Sequence, residues 1–422
     1  MVEESPRCRG MSDLLPADMT RFRRVEEVFR TACLAWGYQE VRTPTIEHLH
    51  LFTAAGTLSP QMLGRVYSFL DWDGWSGERV VLRPDATIPT ARLFVEHLQQ
   101  EKLAKLFYIQ NVFRFAEGDE PREGWQCGVE LIGDTQPRGE VELILLGRQT
   151  LERLGLGPVE VRLFHPGIVR SVLAQAGLER ADQVRVYDRI LDGDLTALAE
   201  LEERLPSLGA SLRLLFEGEG AGSACLANIG SAFLKAVPQM ARPLEELATL
   251  VDTLSALACR CQVATALVGS FEYYTGPVFQ FVANGEGVGG GGRYDGLIAL
   301  VGGPDVAASG FALDASRLAR LLPSPEESVP RQEAVCVRPA SDRADVVAAA
   351  FAAIGPLQEL GLRTQAALVR DVPSACRWEI TVKPSAEGIG YSLYDRTAKR
   401  RRAFAKLDDL LAVLEATGGV LP

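Results

Sequence analysis

Residues 285 to 296 read GEGVGGGGRYDG, with six glycines in the first eight positions, and this run constrains the fold more than any other stretch. Gly285, Gly287 and Gly290 match the G-x-G-x-x-G pattern of a dinucleotide-binding loop. The preceding GPVFQFVA (276–283) predicts a strand, but no helix-forming sequence follows the glycines, and no acidic residue lies in a second strand about 20 residues later. The run therefore favours close approach of the backbone to a ligand or to a neighbouring strand.

The composition is that of an ordinary globular protein. The 422 residues are 47% hydrophobic and 23% charged, which is enough for two or three domains with their own cores. No apolar run approaches the length of a membrane span, and the start, MVEESPRCRGMSDLLP, lacks the apolar stretch of a signal peptide. We therefore expect a cytoplasmic protein with no membrane association. The net charge of -11 disfavours general binding to nucleic acid.

Cysteines and basic residues predict no metal or nucleic-acid site. The eight cysteines have no paired spacing, and the one close pair, Cys259 and Cys261, has no histidine nearby. We interpret them as reduced core thiols and predict neither a metal nor a cofactor. The basic run RTAKRRRAFAK (396–406) is typical of the solvated start of a helix rather than of a binding patch.

The order of elements predicts an α+β fold. Helical spacing predicts a first helix over DMTRFRRVEEVFRTACLAWG, with its buried face formed by Phe22, Val25, Val28, Phe29, Ala32 and Cys33. A hairpin (RVYSFLD and ERVVLRP), a helix from about Thr87 to Gln100 and the strands KLFYIQNVFRF and WQCGVELIG follow. Because these strands neighbour one another without regular crossover helices, the pattern favours a mixed or antiparallel sheet.

Three further segments set the domain organisation. The region 140–258 is mainly helical and includes an expected helical insertion at about 165–258. PSPEESVPRQE (323–333) is rich in proline and charge and is expected to be a linker. Residues 334–422 alternate short strands with helices and are expected to form a small C-terminal α/β domain.

Six ordered motifs resemble histidyl-tRNA synthetase and its relatives across residues 7 to 322. RCRGMSDLLPADMTRFRRVEEVF and WGYQEVRTPTIE are similar to the N-terminal helix and first class II motif, and LRPDAT to the substrate-binding segment. FYIQNVFRFAEGDEPREGWQCGVELIG resembles the second motif, the single run from LVGSFEYYTGPVFQF to GGGRYDGL resembles the two histidine-specific peptides, and GFALDASRL resembles the third motif. The resemblance implies a class II aminoacyl-tRNA synthetase-like domain over 1–322, in which the glycine run brings Tyr294 to an amino-acid pocket.

Taken singly, polar strand residues have ordinary explanations, such as surface charge for Arg83 and Arg114. The resemblance implies instead a histidine-binding set, which comprises Asp85, Thr87, Arg114, Gln126, Glu130, Tyr273, Tyr274 and Tyr294. By resemblance, Asp85 and Thr87 hold the α-amino group, and Arg114 faces the carboxylate or an adjacent phosphate. Gln126 lies close to the amino acid, Glu130 and Tyr274 approach the imidazole, and Tyr294 closes the wall. Arg317 is a candidate for a residual nucleotide contact.

Two departures from the synthetase pattern predict that catalysis is lost. The position of an arginine that would stabilise the α-phosphate is Gly269. The loop AEGDEPREG of the second motif carries Glu117, Asp119, Glu120 and Glu123 against Arg122 alone, and acidic side chains repel triphosphate and RNA. LRPD also has aspartate where the synthetases have glutamate.

This combination resembles the regulatory subunit of ATP phosphoribosyltransferase. The resemblance implies a chain without catalytic residues that senses histidine, assembles with a short catalytic subunit, supports its activity and conveys feedback inhibition in the first step of histidine biosynthesis. It also implies a homodimer around Pro44, and a C-terminal domain that is a degenerate anticodon-binding domain with no evident tRNA contacts. Two alternatives stay open, namely a true histidyl-tRNA synthetase and a free-standing paralogue that binds another ligand or modifies a protein.

Overall fold

The computed structural model describes residues 7–54, 66–72, 77–116, 118, 120–133, 138–191, 194–217, 219–264, 274–323, 334–367, 376–386 and 388–416. The chain forms two compact units, Met1–Leu322 and Pro323–Pro422. The strands of the first unit, in chain order, are β1 (Gln39–Glu40), β2 (Ile46–His48), β3 (Ser68–Trp72), β4 (Gly77–Leu82), β5 (Ala104–Phe113), β6 (Glu123–Ile132), β7 (Glu160–Phe164), β8 (Glu219–Ala221), β9 (Cys261–Ala264), β10 (Val278–Ala283), β11 (Glu286–Arg293) and β12 (Ala308–Asp314).

Nine of these strands form one mixed sheet in the order β1-β5-β6-β12-β11-β10-β7-β9-β8. The pairs β1 with β5 and β7 with β9 are parallel, and the other pairs of this sheet are antiparallel. The predicted mixed or antiparallel sheet is therefore confirmed. The predicted hairpin forms β3 and β4, which with β2 make a separate three-stranded sheet.

The first helix, α1 (Pro16–Ala35), buries the predicted face. All six predicted apolar residues are buried, and the Phe29 ring meets the edge of the Phe107 ring on β5 at 6.0 Å between centroids. The helix begins at a proline, and the backbone N–H of Leu15 donates to the Asp18 carboxylate at 3.2 Å. The chain leaves the helix at Gly37, whose φ of +80° suits glycine best.

The remaining helices of the first unit are α2 (Leu49–Ala54), α3 (Thr87–Leu93), α4 (Arg138–Arg153), α5 (Pro166–Gln175), α6 (Arg180–Leu191), α7 (Leu195–Arg204), α8 (Gly209–Glu217), α9 (Gly222–Phe233), α10 (Ala241–Ala256), α11 (Leu297–Leu300) and α12 (Ala315–Leu321). A short 3₁₀ turn, Pro238–Met240, precedes α10. The helix predicted from about Thr87 to Gln100 is an α-helix only to Leu93 and continues as a π-helical turn, Phe94–Leu98. The helices α5 to α10, with the short strand β8 among them, occupy the segment predicted to be a helical insertion.

The glycine run forms β11, a strand that lies between β10 and β12. A Cβ atom on Gly290 would lie within 3.0 Å of the Phe279 carbonyl oxygen on β10, and one on Gly291 within 3.0 Å of the Phe311 backbone on β12. Glycine therefore lets β11 fit closely against both neighbours. A helix does not open at the glycines, since α11 begins only at Leu297, and the dinucleotide-loop interpretation is excluded.

The second unit contains a five-stranded sheet in the order β14-β13-β15-β16-β17, whose strands are β13 (Ala334–Pro339), β14 (Arg363–Ala366), β15 (Cys376–Ser385), β16 (Gly388–Asp395) and β17 (Arg400–Phe404). Its helices are α13 (Ala344–Ala352), α14 (Ile354–Glu359) and α15 (Leu407–Ala416). The prediction that the basic run begins a helix is wrong. Its centre is strand β17, in which Phe404 is buried and the Arg401 guanidinium lies 5.1 Å from the centre of the Tyr394 ring.

Among the helices of the described residues, none has both the length and the apolar composition needed to cross a membrane.

Candidate ligand-binding site

Arg83 is a buried residue whose hydrogen bonds fix one wall of the candidate site. Only 3% of it is exposed, so its interpretation as a surface charge is wrong. Its guanidinium donates to the carbonyl oxygens of Thr43, Pro44 and Asn111 and to the Asn111 side chain, at 2.7 to 2.8 Å. These four hydrogen bonds offset the free-energy cost of burying the guanidinium cation, and they fix the backbone just before Asp85.

Asp85 and Thr87 stand at the start of α3. The Asp85 carboxylate accepts the backbone N–H of Ile88 at 3.1 Å, as a helix N-terminus favours. Burial raises the pKa of Asp85, and the nearby charge of Arg114 opposes that rise. The Thr87 hydroxyl lies 3.4 Å from the Tyr108 hydroxyl. Arg114 is exposed at the rim, where its Nε donates to the Pro84 carbonyl at 2.8 Å.

The hairpin β5–β6 forms the floor of the site. Its register pairs Leu106 with Glu130, Tyr108 with Gly128 and Gln110 with Gln126. Because successive side chains of a strand point to opposite faces, these residues share one face of the hairpin. The alternate residues Phe107, Ile109, Cys127 and Val129 belong to the apolar core that contains α1.

The Glu130 carboxyl is the centre of the site and is 2% exposed. The Tyr108 hydroxyl donates to its Oε1 at 3.1 Å, and the Tyr294 hydroxyl donates to its Oε2. Burial raises the pKa of Glu130 well above its usual value, against the opposing hydrogen bonds from Thr87 and Tyr108. Burial therefore disfavours the charged form of this carboxyl group.

Three glycines make room for these side chains. A Cβ atom on Gly128 would lie within 3.0 Å of the Tyr108 ring. One on Gly310 would lie within 3.0 Å of both the Glu130 carboxyl and the Tyr294 hydroxyl, and one on Gly292 would come within 3.0 Å of the Tyr274 ring. The backbone of β6, β11 and β12 thus lies close under the polar groups that face the site.

The structure brings together most of the predicted residues, in an arrangement with two tyrosine rings at one wall. The Tyr274 ring lies 6.4 Å from the Tyr294 ring between centroids, and burial raises the pKa of Tyr274. Asp85, Thr87 and Glu130 join them, and Gln126 faces the same side of the hairpin. Tyr273 and Gly269 lie outside the described residues.

Arg317 is engaged with the backbone of the glycine strand. Its Nη1 donates to the Gly287 carbonyl at 2.5 Å, and its Nε lies 3.7 Å from the Asp314 carboxylate. A nucleotide contact by Arg317 remains a prediction.

Sequence reasoning missed Tyr108, Gln110 and the two glycines that make room for Tyr108 and Glu130. A signal for them exists in the alternation of β5, where Tyr108 and Gln110 stand two residues apart on either side of Ile109. The same alternation on β6 gives Gln126, Gly128 and Glu130. Reading the two strands as a paired hairpin would have placed all five on one face.

Chemically, the site offers a carboxyl group between phenol hydroxyls at one end and a second carboxyl group with a threonine hydroxyl nearby. Such a set suits a small ligand that has both an amine and a ring with hydrogen-bonding atoms. The described part of the chain contains no cluster of three or more side chains fit to hold a metal ion.

Comparison with known proteins identifies the family. The model of the histidyl-tRNA synthetase family matches residues 10–318. An ATP phosphoribosyltransferase regulatory subunit of Dehalococcoides mccartyi is 45% identical over 378 residues, which cover 89% of this chain and 91% of that protein. The chain belongs to the histidyl-tRNA synthetase family, in its branch of ATP phosphoribosyltransferase regulatory subunits.

A solved structure and a further sequence relative agree with the family assignment. A solved structure from Bacillus halodurans, described as an ATP phosphoribosyltransferase regulatory subunit/histidyl-tRNA synthetase, has a TM-score of 0.74 and 25% identity and covers 92% of this chain and all of its own. A histidine–tRNA ligase of Methanosarcina acetivorans is 35% identical over 331 residues, 75% of each chain. The class II synthetase-like fold predicted from the motifs is confirmed.

Proposed function

We propose that this chain is the non-catalytic, histidine-sensing regulatory subunit of ATP phosphoribosyltransferase, and that the short catalytic subunit needs it for activity and for feedback inhibition. The regulatory role is supported by the relatives in Dehalococcoides mccartyi that carry this description at 42% to 45% identity. Histidine sensing is supported by the geometry around Glu130.

The observation that carries the proposal is the buried Glu130 carboxyl between the hydroxyls of Tyr108 and Tyr294. An imidazole ring has one nitrogen that donates and one that accepts when neutral, and a carboxyl group and phenol hydroxyls can serve both. A ligand that lacks these atoms would leave buried polar groups unpaired, which gives strong discrimination. Asp85 and Thr87 would then receive the α-amino group.

Loss of adenylate chemistry is supported by Gly269 and by the acidic loop of the second motif. Gly269 supplies no charge where synthetases have an arginine. Arg122, in the acidic loop, contacts the loop itself: its guanidinium lies 4.4 Å from the centre of the Phe115 ring, and its Nε donates to the Ala116 carbonyl at 2.9 Å. Glu123 accepts the Asn111 side chain at 3.0 Å and adds negative charge at the base of the loop.

Two assays test the proposal together. Calorimetry measures histidine binding to the wild-type protein and to Glu130→Ala, with circular dichroism to check that the variant is folded. Exchange of labelled pyrophosphate into ATP measures adenylate formation. We expect histidine binding that Glu130→Ala abolishes, and no exchange. Unchanged affinity in Glu130→Ala would overturn the site, and exchange by the wild-type protein would restore the alternative, a histidyl-tRNA synthetase.

The proposal extends to assembly. We infer a hetero-oligomer with the short catalytic subunit, a homodimer that forms around Pro44, and domain limits of 1–322 and 334–422 joined by a linker. The C-terminal domain, as a degenerate anticodon-binding domain, would serve structure or assembly rather than tRNA recognition. Adding purified chain to the isolated short catalytic subunit should raise its activity, and histidine should then inhibit the complex.

A further inference from the structure

Gln110 lies on the floor of the site with one end of its side-chain amide unpaired. The residue is 2% exposed. Its Oε1 accepts the Thr43 hydroxyl at 2.9 Å, whereas its Nε2 is buried and has no hydrogen-bond partner among the residues that the structure describes. An unmade hydrogen bond at a buried amide is costly, so native proteins rarely leave one without a reason.

The anchor of this amide is itself rigid. The Thr43 carbonyl accepts the Arg83 guanidinium at 2.8 Å, and Arg83 also binds the Asn111 backbone next to Gln110. Gln110 is therefore held from two sides by the network that positions Asp85. A side chain held in this way meets a ligand at little cost in rotamer entropy.

The hairpin register places Gln110 at the opposite end of the site from Glu130. It is paired with Gln126, four residues from Glu130 along β6, which places the two ends about 13 Å apart between Cα atoms. If the ring binds at Glu130 and the α-amino group at Asp85, the α-carboxylate falls toward Gln126 and Gln110. Arg114, at the rim, would add positive charge on the same side.

We propose that Gln110 determines specificity for a free α-carboxylate, to which its Nε2 donates a hydrogen bond. The inference rests on the proposed histidine site and deepens it. A sensor binds an amino acid whose carboxylate stays unmodified, and a buried neutral donor recognises that anion without adding a charge that must be buried when the site is empty. Binding also removes the unpaired state of the amide.

The test compares histidine with histidinol, in which a hydroxymethyl group replaces the carboxylate. Calorimetry on the full chain gives the ratio of the two affinities for the wild-type protein and for Gln110→Met, which keeps the side-chain length and removes the donor. We expect Gln110→Met to bind histidine about 10-fold or more weakly, because a hydrogen bond to a charged group is lost, and to change histidinol binding by much less.

Gln149→Met is the matched control. Gln149 accepts the Trp36 indole N–H at 2.8 Å on α4, outside the site, so the same substitution removes a half-buried amide without touching the ligand. It should leave both affinities unchanged. Equal loss of histidine and histidinol binding in Gln110→Met, or no loss at all, would overturn the inference while the histidine site stands. Failure of the wild-type protein to bind histidine would overturn the proposed function and this inference with it.

Discussion

Arg293 donates two hydrogen bonds to the carboxylate of Glu140, at 2.5 Å from Nε and 3.0 Å from Nη2, and so joins the end of β11 to the first turn of α4. The Glu140 side chain is 2% exposed and that of Arg293 is 14% exposed. The arginine that follows the glycine run is therefore a structural clamp, and it fixes the backbone next to Tyr294.

Replacing Glu140 by leucine should destabilise the protein strongly. The change removes the carboxylate that accepts two hydrogen bonds from the largely buried Arg293 cation and leaves the Asp295 carboxylate 3.9 Å away, a loss of about 3 kcal/mol or more for pairs of this kind. Urea unfolding followed by circular dichroism measures the effect. Glu152→Leu is the control, since Glu152 meets Arg148 at the surface, where such pairs contribute about 0 to 1 kcal/mol. Equal losses in the two variants would show that the clamp is not important.

Gly310→Ala should abolish histidine binding. The added methyl group would collide with the Glu130 carboxyl and the Tyr294 hydroxyl, and the nearby Val129 carbonyl leaves it no room to move away. Gly296→Ala is the control, because a Cβ at Gly296 meets no atom within 4 Å and its φ is -76°. Calorimetry on both variants checks the prediction. Normal histidine affinity in Gly310→Ala would mean that Glu130 and Tyr294 are not the ligand's partners.

Glu130→Gln should make the unliganded protein more stable at neutral pH. Burial raises the folded-state pKa of Glu130 above its unfolded value near 4.5, so between the two pKa values the folded state binds more protons. That difference lowers the free energy of unfolding as the pH rises from about 4.5 through the folded-state pKa. The amide introduced by Glu130→Gln does not titrate, so the variant does not lose free energy of unfolding in this way as the pH rises. Urea unfolding from about pH 5 to about pH 8 should give a flatter stability profile for Glu130→Gln than for the wild-type protein. Parallel profiles would contradict the raised pKa.

The sequence was sufficient for features that depend on local periodicity. The helical spacing from Phe22 to Cys33 predicted the buried face of α1, and the apolar runs KLFYIQNVFRF and WQCGVELIG predicted strands where β5 and β6 lie. The basic run around Arg401 was misassigned because charge suggested a solvated helix, whereas the pairing of Arg401 with Tyr394 across two strands decides the structure. Such pairing depends on residues that become neighbours only in the sheet.

Site residues that belong to recognisable motifs could be predicted from the sequence. Site residues whose position depends on strand pairing could not. Asp85, Glu130 and Tyr294 came from recognisable motifs. Gln110 did not, because the position of its side chain depends on a hydrogen bond from Thr43, which is 67 residues away in the chain. Arg83 was taken for a surface charge because the sequence does not reveal that four acceptors from two other segments surround its guanidinium.

The stability of the protein at acidic pH should depend on a contact between the start of α5 and α10. His165, at the start of α5, accepts the Gly167 backbone N–H with Nδ1, so Nε2 carries the proton and donates to Glu246 on α10 at 3.0 Å. This hydrogen bond, and a second one from Arg242 at 2.8 Å, lower the pKa of Glu246 to about 2. A carboxyl group with a depressed folded-state pKa stabilises the protein above its unfolded pKa, and that contribution is lost as the pH falls from about 4.5 to about 2.

Glu246→Gln should therefore lower the free energy of unfolding at about pH 6 and have a progressively smaller effect toward about pH 3, where the wild-type carboxylate begins to take up its proton. Urea unfolding at several pH values measures the difference between the two proteins. Glu245→Gln, which makes the same charge change at the exposed neighbouring position of α10, should follow the wild-type curve throughout. A difference between Glu246→Gln and the wild-type protein that stays constant with pH would show that the contact with His165 contributes through shape rather than through charge.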